Sequence, residues 1–523
     1  MTQPASAGNR FRLIALVLLI AGGTVLFVGA LIHELVGVGP FGYHASLAPA
    51  WQGGLEVLAL AALLAAAAGL VRAPRWRAVL LLAIGELYLR RHFVDLPMLV
   101  DLAYVEILIG LGAGASRIAG VAPSRDARDY FRFFLAGVVL WSLGAWILSA
   151  LDFGSLKILR LYTLLLALPA VAARQTPLSL FLSRKFGALN APERASVAAL
   201  GAWFLSLAAR TNVVTGFDPW WYGLRGEYVL VPGRSVFEPL GLVAPVHYYP
   251  KLYELLLISV SGLHDLSVVE GVSIFVLLLF ALAGMELLKP LGLGVRTRVL
   301  LVALCSTVPA IANSALSPKP DLFMAFVLLV ACIDATRFAR DGSIAAGFWI
   351  VTAMLVAFVS KLSAPPYILA LALGALAIWL RNGRPSQRDP DGERRFALAI
   401  ACAALVVTIF VTARTWLLAG VPMVGPEPLL VLFEKLGMPL KPPVGRMLGA
   451  PPIGLGAQPE MLIDQLFRPQ RLAHMVITWI GNVWLYLFAL AVTARILIGR
   501  PRDDAPSVPA IWWILLLAGL VLL

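Results

Sequence analysis

Apolar stretches of 12 to 23 residues alternate with polar connections along the whole chain. A helix rises about 1.5 Å per residue, so roughly 20 such residues cross the ~30 Å hydrocarbon core of a bilayer. The pattern predicts spanning helices over 11–32, 54–71, 78–89, 95–114, 131–151, 155–173 and 195–209, then over 268–288, 298–315, 321–336, 343–359, 363–380, 396–418, 473–494 and 508–523. The expected fold is all-α, a polytopic integral membrane protein with about 15 transmembrane helices. The run at 11–32 is longer than a signal-peptide core and lacks a small-residue cleavage site, which reads as a retained anchor.

Two connections stand out by length, 210–267 and 420–472. The second carries ten prolines, from Pro422 to Pro469, so it cannot be a spanning helix and is expected to fold as a cap of turns and short helices. Within the first, "HYYPKLYELLLISVSGL" at 247–263 is expected to lie as an amphipathic helix at the membrane surface, its tyrosines and Lys251 at headgroup level. The stretch "RNGRPSQRDPDGERR" at 381–395 reads as a solvated connector. Before residue 190 the connections on the loop-bearing side are short and nearly free of charge; beyond it they collect charge and aromatics. The expected organisation is an N-terminal transmembrane helical module over 1–190, a core with both long loops over 191–500, and a C-terminal transmembrane helix over 501–523.

Composition supports the bilayer and charge orients the chain. Only 14% of residues are charged, against about a quarter in soluble domains, and mean hydropathy is +0.87. The net charge of +13 is spread over helix ends rather than along one face, which excludes a nucleic-acid surface. With the N-terminus inside, 26 of the 42 Lys and Arg fall on the cytoplasmic side. Basic loops are retained there, so both long loops are expected to face the periplasm or exterior of a bacterial inner membrane. Cys305, Cys332 and Cys402 lie in apolar runs without ligand spacing and read as small core residues.

The candidate chemistry gathers on that outer face. "GFDPWWYGLRGEYVL" at 216–230 places Asp218 before Pro219, which disfavours helix at the aspartate, and beside Trp220, Trp221 and Tyr222. Partial desolvation by those rings raises a carboxylate toward a useful general base; an interfacial aromatic belt with an ordinary turn aspartate accounts for the same residues equally well. The loop continues through Arg225, Glu227, Arg234, His247, Tyr248, Tyr249, Lys251 and Glu254. Two short turns, "LSPKPDLFMAF" and "AFVSKLSAPPY", add Lys319, Asp321 and Lys361 on the same face. A base opposite several cations suits group transfer from a lipid phosphate: the base activates a hydroxyl while the cations stabilise the departing phosphate.

The order of these pieces resembles the multispanning GT-C glycosyltransferases that use polyprenyl-phosphate sugars, such as protein O-mannosyltransferases and lipid A aminoarabinose transferases. In that group an acidic residue follows a helix in the first outer loop, then a His-Pro-Pro-Leu-like stretch, an acidic residue after a proline at an outer turn, and a lysine in a Thr-Lys or Ser-Lys pair. Here Asp218, "HYYPKLYELL", Asp321 in "SPKPDLF" and Lys361 in "VSKLSAPP" occupy those places across roughly 195–500. The resemblance implies a glycosyltransferase, inverting, with a polyprenyl-phosphate sugar donor and an envelope glycan, lipid or protein acceptor. It implies catalytic roles for Asp218 and Asp321. Because Pro219 stands where the family has a second acid, Glu227 is the candidate second carboxylate. Donor phosphate falls to Lys361, Lys251, Arg225, Lys319 and His247, the last equally readable as a structural hydrogen-bonding residue, and Trp220, Trp221, Tyr222 and Tyr249 form a sugar or acceptor platform. The residues name no cofactor; Asp218, Glu227 and Asp321 could help bind a divalent cation, but no ligand spacing demands one. The rival reading is a transporter or lipid flippase, which expects ionisable residues near the bilayer midplane. The helical charges noticed on that account are Glu86, Asp101, Glu106, Arg160 and Glu286.

Overall fold

In the computed structural model, the described residues are 48–121, 126–213, 234–239, 241–261, 266–307, 309–382, 389–425 and 427–446. They form helices with no strand among them: α1 (Ala48–Leu70), α2 (Pro74–Arg91), α3 (Asp95–Ile118), α4 (Ala127–Ala150), α5 (Leu156–Ala172), α6 (Leu178–Gly187), α7 (Ala191–Ala208), α8 (Leu252–Leu257), α9 (Leu266–Leu287), α10 (Val295–Thr307), α11 (Pro309–Ala315), α12 (Pro320–Asp341), α13 (Ile344–Ser360), α14 (Pro365–Asn382), α15 (Asp391–Ala419) and α16 (Glu427–Lys435). The segments expected as helices at 11–32, 473–494 and 508–523 lie outside the described residues.

Five of these helices are long and apolar enough to cross a membrane: Trp51–Leu70, Asp95–Ile118, Ala127–Ala150, Ser267–Leu287 and Asp391–Ala419. Fewer described helices meet that standard than the fifteen segments expected from hydropathy, for identifiable reasons. The segment at 298–315 is divided before Pro309 into α10 and α11, because proline cannot continue the hydrogen-bond ladder. Helices α5 and α13 have 17 residues each, about 25 Å of rise. Helix α12 carries Asp321, Asp334, Arg337 and Asp341. Leu82, Leu168, Ile409 and Leu417 are exposed on the outside of the bundle, an apolar belt suited to lipid rather than water.

The largest apolar cluster among the described residues draws on helices on both sides of residue 190, with smaller ones beside it. Close approach at its centre depends on glycine. A Cβ on Gly137 of α4 would lie 1.8 Å from the Leu108 carbonyl oxygen of α3, and one on Gly112 of α3 would lie 2.0 Å from that of Phe133. The two backbones touch, which is how helices associate where lipid removes the hydrophobic drive. Cys305 and Cys332 are half-buried, while Cys402, expected in the core, is exposed on α15; an apolar run predicts the helix but not which of its faces turns inward.

Charge sits at two opposite poles. At one, Arg132 of α4 pairs with Asp334 of α12 and, at 3.1 Å, with Glu393 of α15. Arg337 also engages Glu393, and Asp389 lies 3.6 Å from Arg337 while accepting hydrogen bonds from the Ser343 hydroxyl (2.6 Å) and the Ala345 amide (2.8 Å) at the start of α13. This network ties four helix ends together. Helix α6, read in the sequence as part of a connection, is held by Glu106, half-way along α3, whose carboxylate accepts from the Leu178 and Ser179 amides at 3.0 and 3.2 Å. Those are orphan donors of a helix N-terminus.

Candidate functional site

The opposite pole holds the described candidate residues. Asp321 sits in the first turn of α12, fixed by Pro320 at its start, and Lys361 caps the C-terminus of α13. Their side chains form an ion pair, both partly exposed. The two turns therefore meet, but as partners of one another. Lys319 is the N-cap residue of α12.

Lys251 and Glu254 lie elsewhere than expected. Among the described residues of this stretch only Leu252–Leu257 is α-helical, and every residue from 250 to 261 is buried, so these residues do not form an amphipathic helix on the membrane surface. Its composition explains this: the six-residue helix carries one charge, Glu254, and pairing with Lys251 leaves it no wet face to present. Lys251 and Glu254, 3% and 4% exposed, pair at 3.1 Å, which is how a buried charge is tolerated. Tyr104 of α3 donates to the Leu256 carbonyl at 2.7 Å. Tyr253 stacks on Phe323 of α12 with ring centres 5.0 Å apart and meets Ser273 of α9 at 2.9 Å; Ser273 in turn donates to the Ser317 carbonyl at 2.8 Å. The Lys251 pair is thus linked through Tyr253 to the turn that bears Asp321.

One residue the sequence did not single out completes the pole. Arg414, on α15, is 1% exposed. Its Nε donates to the Val236 carbonyl at 2.9 Å, and its charge lies within electrostatic reach of Glu254. Neither terminal guanidinium nitrogen, nor Oε2 of Glu254, has a hydrogen-bond partner among the described residues. A single charge in the long apolar run that follows Arg395 in α15 gives little signal in sequence; it stands out only because α15 turns it against residues 236 and 254.

Asp218, Trp220, Trp221, Tyr222, Arg225 and Glu227 lie outside the described residues. Where the chain re-enters them, it is anchored at this pole. The Ser235 hydroxyl donates to the Ser149 carbonyl at 2.6 Å, the Gly154 amide donates to the Arg234 carbonyl at 2.6 Å, and Val236 receives Arg414. The two long loops also meet here. Tyr248 packs with Ala419, Val421, Val424, Leu430 and Val444 in a satellite core, and the Gly445 amide donates to the Val243 carbonyl at 2.8 Å. The short helix expected in the proline-rich loop is α16, to which Arg446 binds through Glu427 and Glu434. His247 lies in a single 3-10 turn, Pro245–Tyr248, with half-buried Tyr249 after it. Burial pushes the hydroxyls of Tyr248 and Tyr249 above the usual phenol range, so both stay neutral and can donate.

Chemically, the pole offers the buried cations Lys251 and Arg414 beside the buried carboxylate of Glu254, with Tyr248 close to Arg414, an arrangement able to hold an anion out of water. Among the described residues no group of three or more His, Cys, Asp or Glu side chains is placed to hold a metal. No known protein family, no curated protein and no solved structure matches the chain.

Proposed function

We propose that the protein is a membrane glycosyltransferase of GT-C type. It would take a sugar from a polyprenyl-phosphate donor and pass it to an envelope glycan, lipid or protein hydroxyl on the outer, periplasmic face of a bacterial inner membrane. The observation that carries this reading is Arg414. It is a buried guanidinium whose terminal nitrogens have no hydrogen-bond partner among the described residues, within electrostatic reach of Glu254, the partner of Lys251, and hydrogen-bonded to Val236 where the chain leaves the Asp218 loop. Arginine is the side chain best suited to bidentate phosphate recognition.

In the proposed reaction, Asp218 takes the proton of the acceptor hydroxyl as its oxygen bonds to the anomeric carbon. The bond from that carbon to the phosphate oxygen breaks, and its electron pair stays on the phosphate. Arg414, Lys251 and Lys361, with Lys319 and Arg225, oppose that growing charge. Asp321 holds Lys361 in position, Glu227 is a second carboxylate for the acceptor, and Trp220, Trp221 and Tyr222 bind the sugar faces. A single displacement inverts the anomeric centre.

A transporter reading is favoured by Asp101 and Glu270, both fully buried in α3 and α9. Their depth argues against it: six and four residues from the helix starts, they lie about 9 and 6 Å in, near the same pole rather than at mid-bilayer. Profiling of lipid-linked sugars and envelope glycans in a deletion strain tests the choice. The transferase reading expects one polyprenyl-phosphate sugar to accumulate and one glycan to disappear. An unchanged lipid-linked sugar pool with an intact envelope contradicts it.

A further inference from the structure

At the Arg132 pole, away from the proposed transfer site, α2, α6, α7, α9 and α10 enclose a cavity of about 1000 Å³. That is at the upper end of ordinary ligand pockets. Its lining is graded. Arg77 and Arg298 lie three residues from the starts of α2 and α10, while Leu205 is fourteen residues into α7, about 20 Å along that helix. Leu81, Phe181 and Leu278 line the apolar part.

The charges at the mouth do not cancel. Asp126 accepts from Arg128 at 2.6 and 3.0 Å. Burial would raise its carboxyl, but Arg128 and the charge of Lys289 outweigh that and hold it below the usual range. Glu286 lies 3.6 Å from Lys289. With both acids engaged, Arg77, Arg298 and Lys185 leave the cavity positive. Arg77 is 7% exposed, and its NH1 donates to the Val71 carbonyl at a long 3.4 Å. Arg298 donates through NH1 to the Met285 carbonyl at 3.1 Å, while its buried Nε has no hydrogen-bond partner among the described residues. A buried arginine held by one long hydrogen bond, beside a half-buried one with a buried donor that has no partner among the described residues, favours an anion; a long apolar chamber behind them calls for a hydrocarbon chain. Basic pockets between membrane helices hold anionic lipid headgroups on the same principle.

We propose that this cavity is a structural site for an anionic phospholipid, with the phosphate on Arg77 and Arg298 and an acyl chain between α7 and α9. The full-length protein, delipidated in detergent, is titrated with phosphatidylglycerol or phosphatidylethanolamine and read by native mass spectrometry. Phosphatidylglycerol is expected to bind about tenfold more tightly, and R77Q/R298Q to weaken it about tenfold or more and erase the preference. Gly201→Phe provides a control independent of charge: a Cβ at Gly201 meets nothing within 4 Å and the residue lines the cavity, so the ring fills the chamber while the arginines stay. It is expected to lower lipid occupancy at least tenfold with the thermal midpoint preserved. Equal affinity for the two lipids, or unchanged phosphatidylglycerol binding in Gly201→Phe, overturns the proposal.

Discussion

Arg132 and Asp334 show what a charge inside this bundle requires. Both are buried and joined by a direct ion pair, so removing Asp334 leaves the buried Arg132 with Glu393 alone to balance it. Asp334→Ala is expected to cost about 3–5 kcal/mol, read as a lowered thermal midpoint in detergent, and the double variant R132M/D334L is expected to recover most of that loss. A double variant no better than the single would mean that the pair is not the source of the stability. Arg414 has a different role under the proposed function. Arg414→Lys keeps the charge but not the fork, so donor affinity is expected to fall about tenfold or more; unchanged donor affinity in that variant would remove Arg414 from the phosphate site. Neither arginine was legible as a buried group in the sequence. Arg132 looks like one of many basic residues at a helix end, and Arg414 like a solitary polar interruption, because partners such as Asp334 and Glu254 lie 202 and 160 positions away along the chain. Asp321 and Lys361 were legible as neighbours, since both sit in turns too short to separate them from the pole.

At the scale of elements, most long apolar runs are helices close to where hydropathy places them: 95–114 became α3, 131–151 became α4 and 268–288 became α9. The failures are physical. Periodicity cannot tell a helix lying on a membrane from one buried inside a bundle when only Lys251 and Glu254 are charged, because their mutual pairing is invisible in sequence. Helix α6 escaped notice because its N-terminal cap, Glu106, comes from another helix. The contact of α3 with α4 makes the strictest demand on sequence. Gly137→Leu is expected to force the helices apart and to lower the thermal midpoint or prevent accumulation in the membrane, whereas Gly187→Leu, where a Cβ meets nothing within 4 Å, is expected to be tolerated. Equal behaviour of the two variants would contradict the packing described for this crossing.

For the whole molecule, the separation of charge into two poles joined by an apolar belt defines what can be tested about orientation. Lys435 of α16 and Arg394 of α15 are exposed near opposite poles. In a background without the three native cysteines, Lys435→Cys in intact cells is expected to react with a membrane-impermeant thiol reagent, and Arg394→Cys only after lysis. The reverse pattern would place the proposed site in the cytoplasm, away from envelope acceptors. The central claim, lipid-phosphate sugar transfer with Asp218 as base, is tested most directly in membrane vesicles supplied with the donor that accumulates in the deletion strain. Asp218→Asn is expected to insert and fold as the wild type does and to abolish transfer; wild-type turnover in that variant would contradict the account.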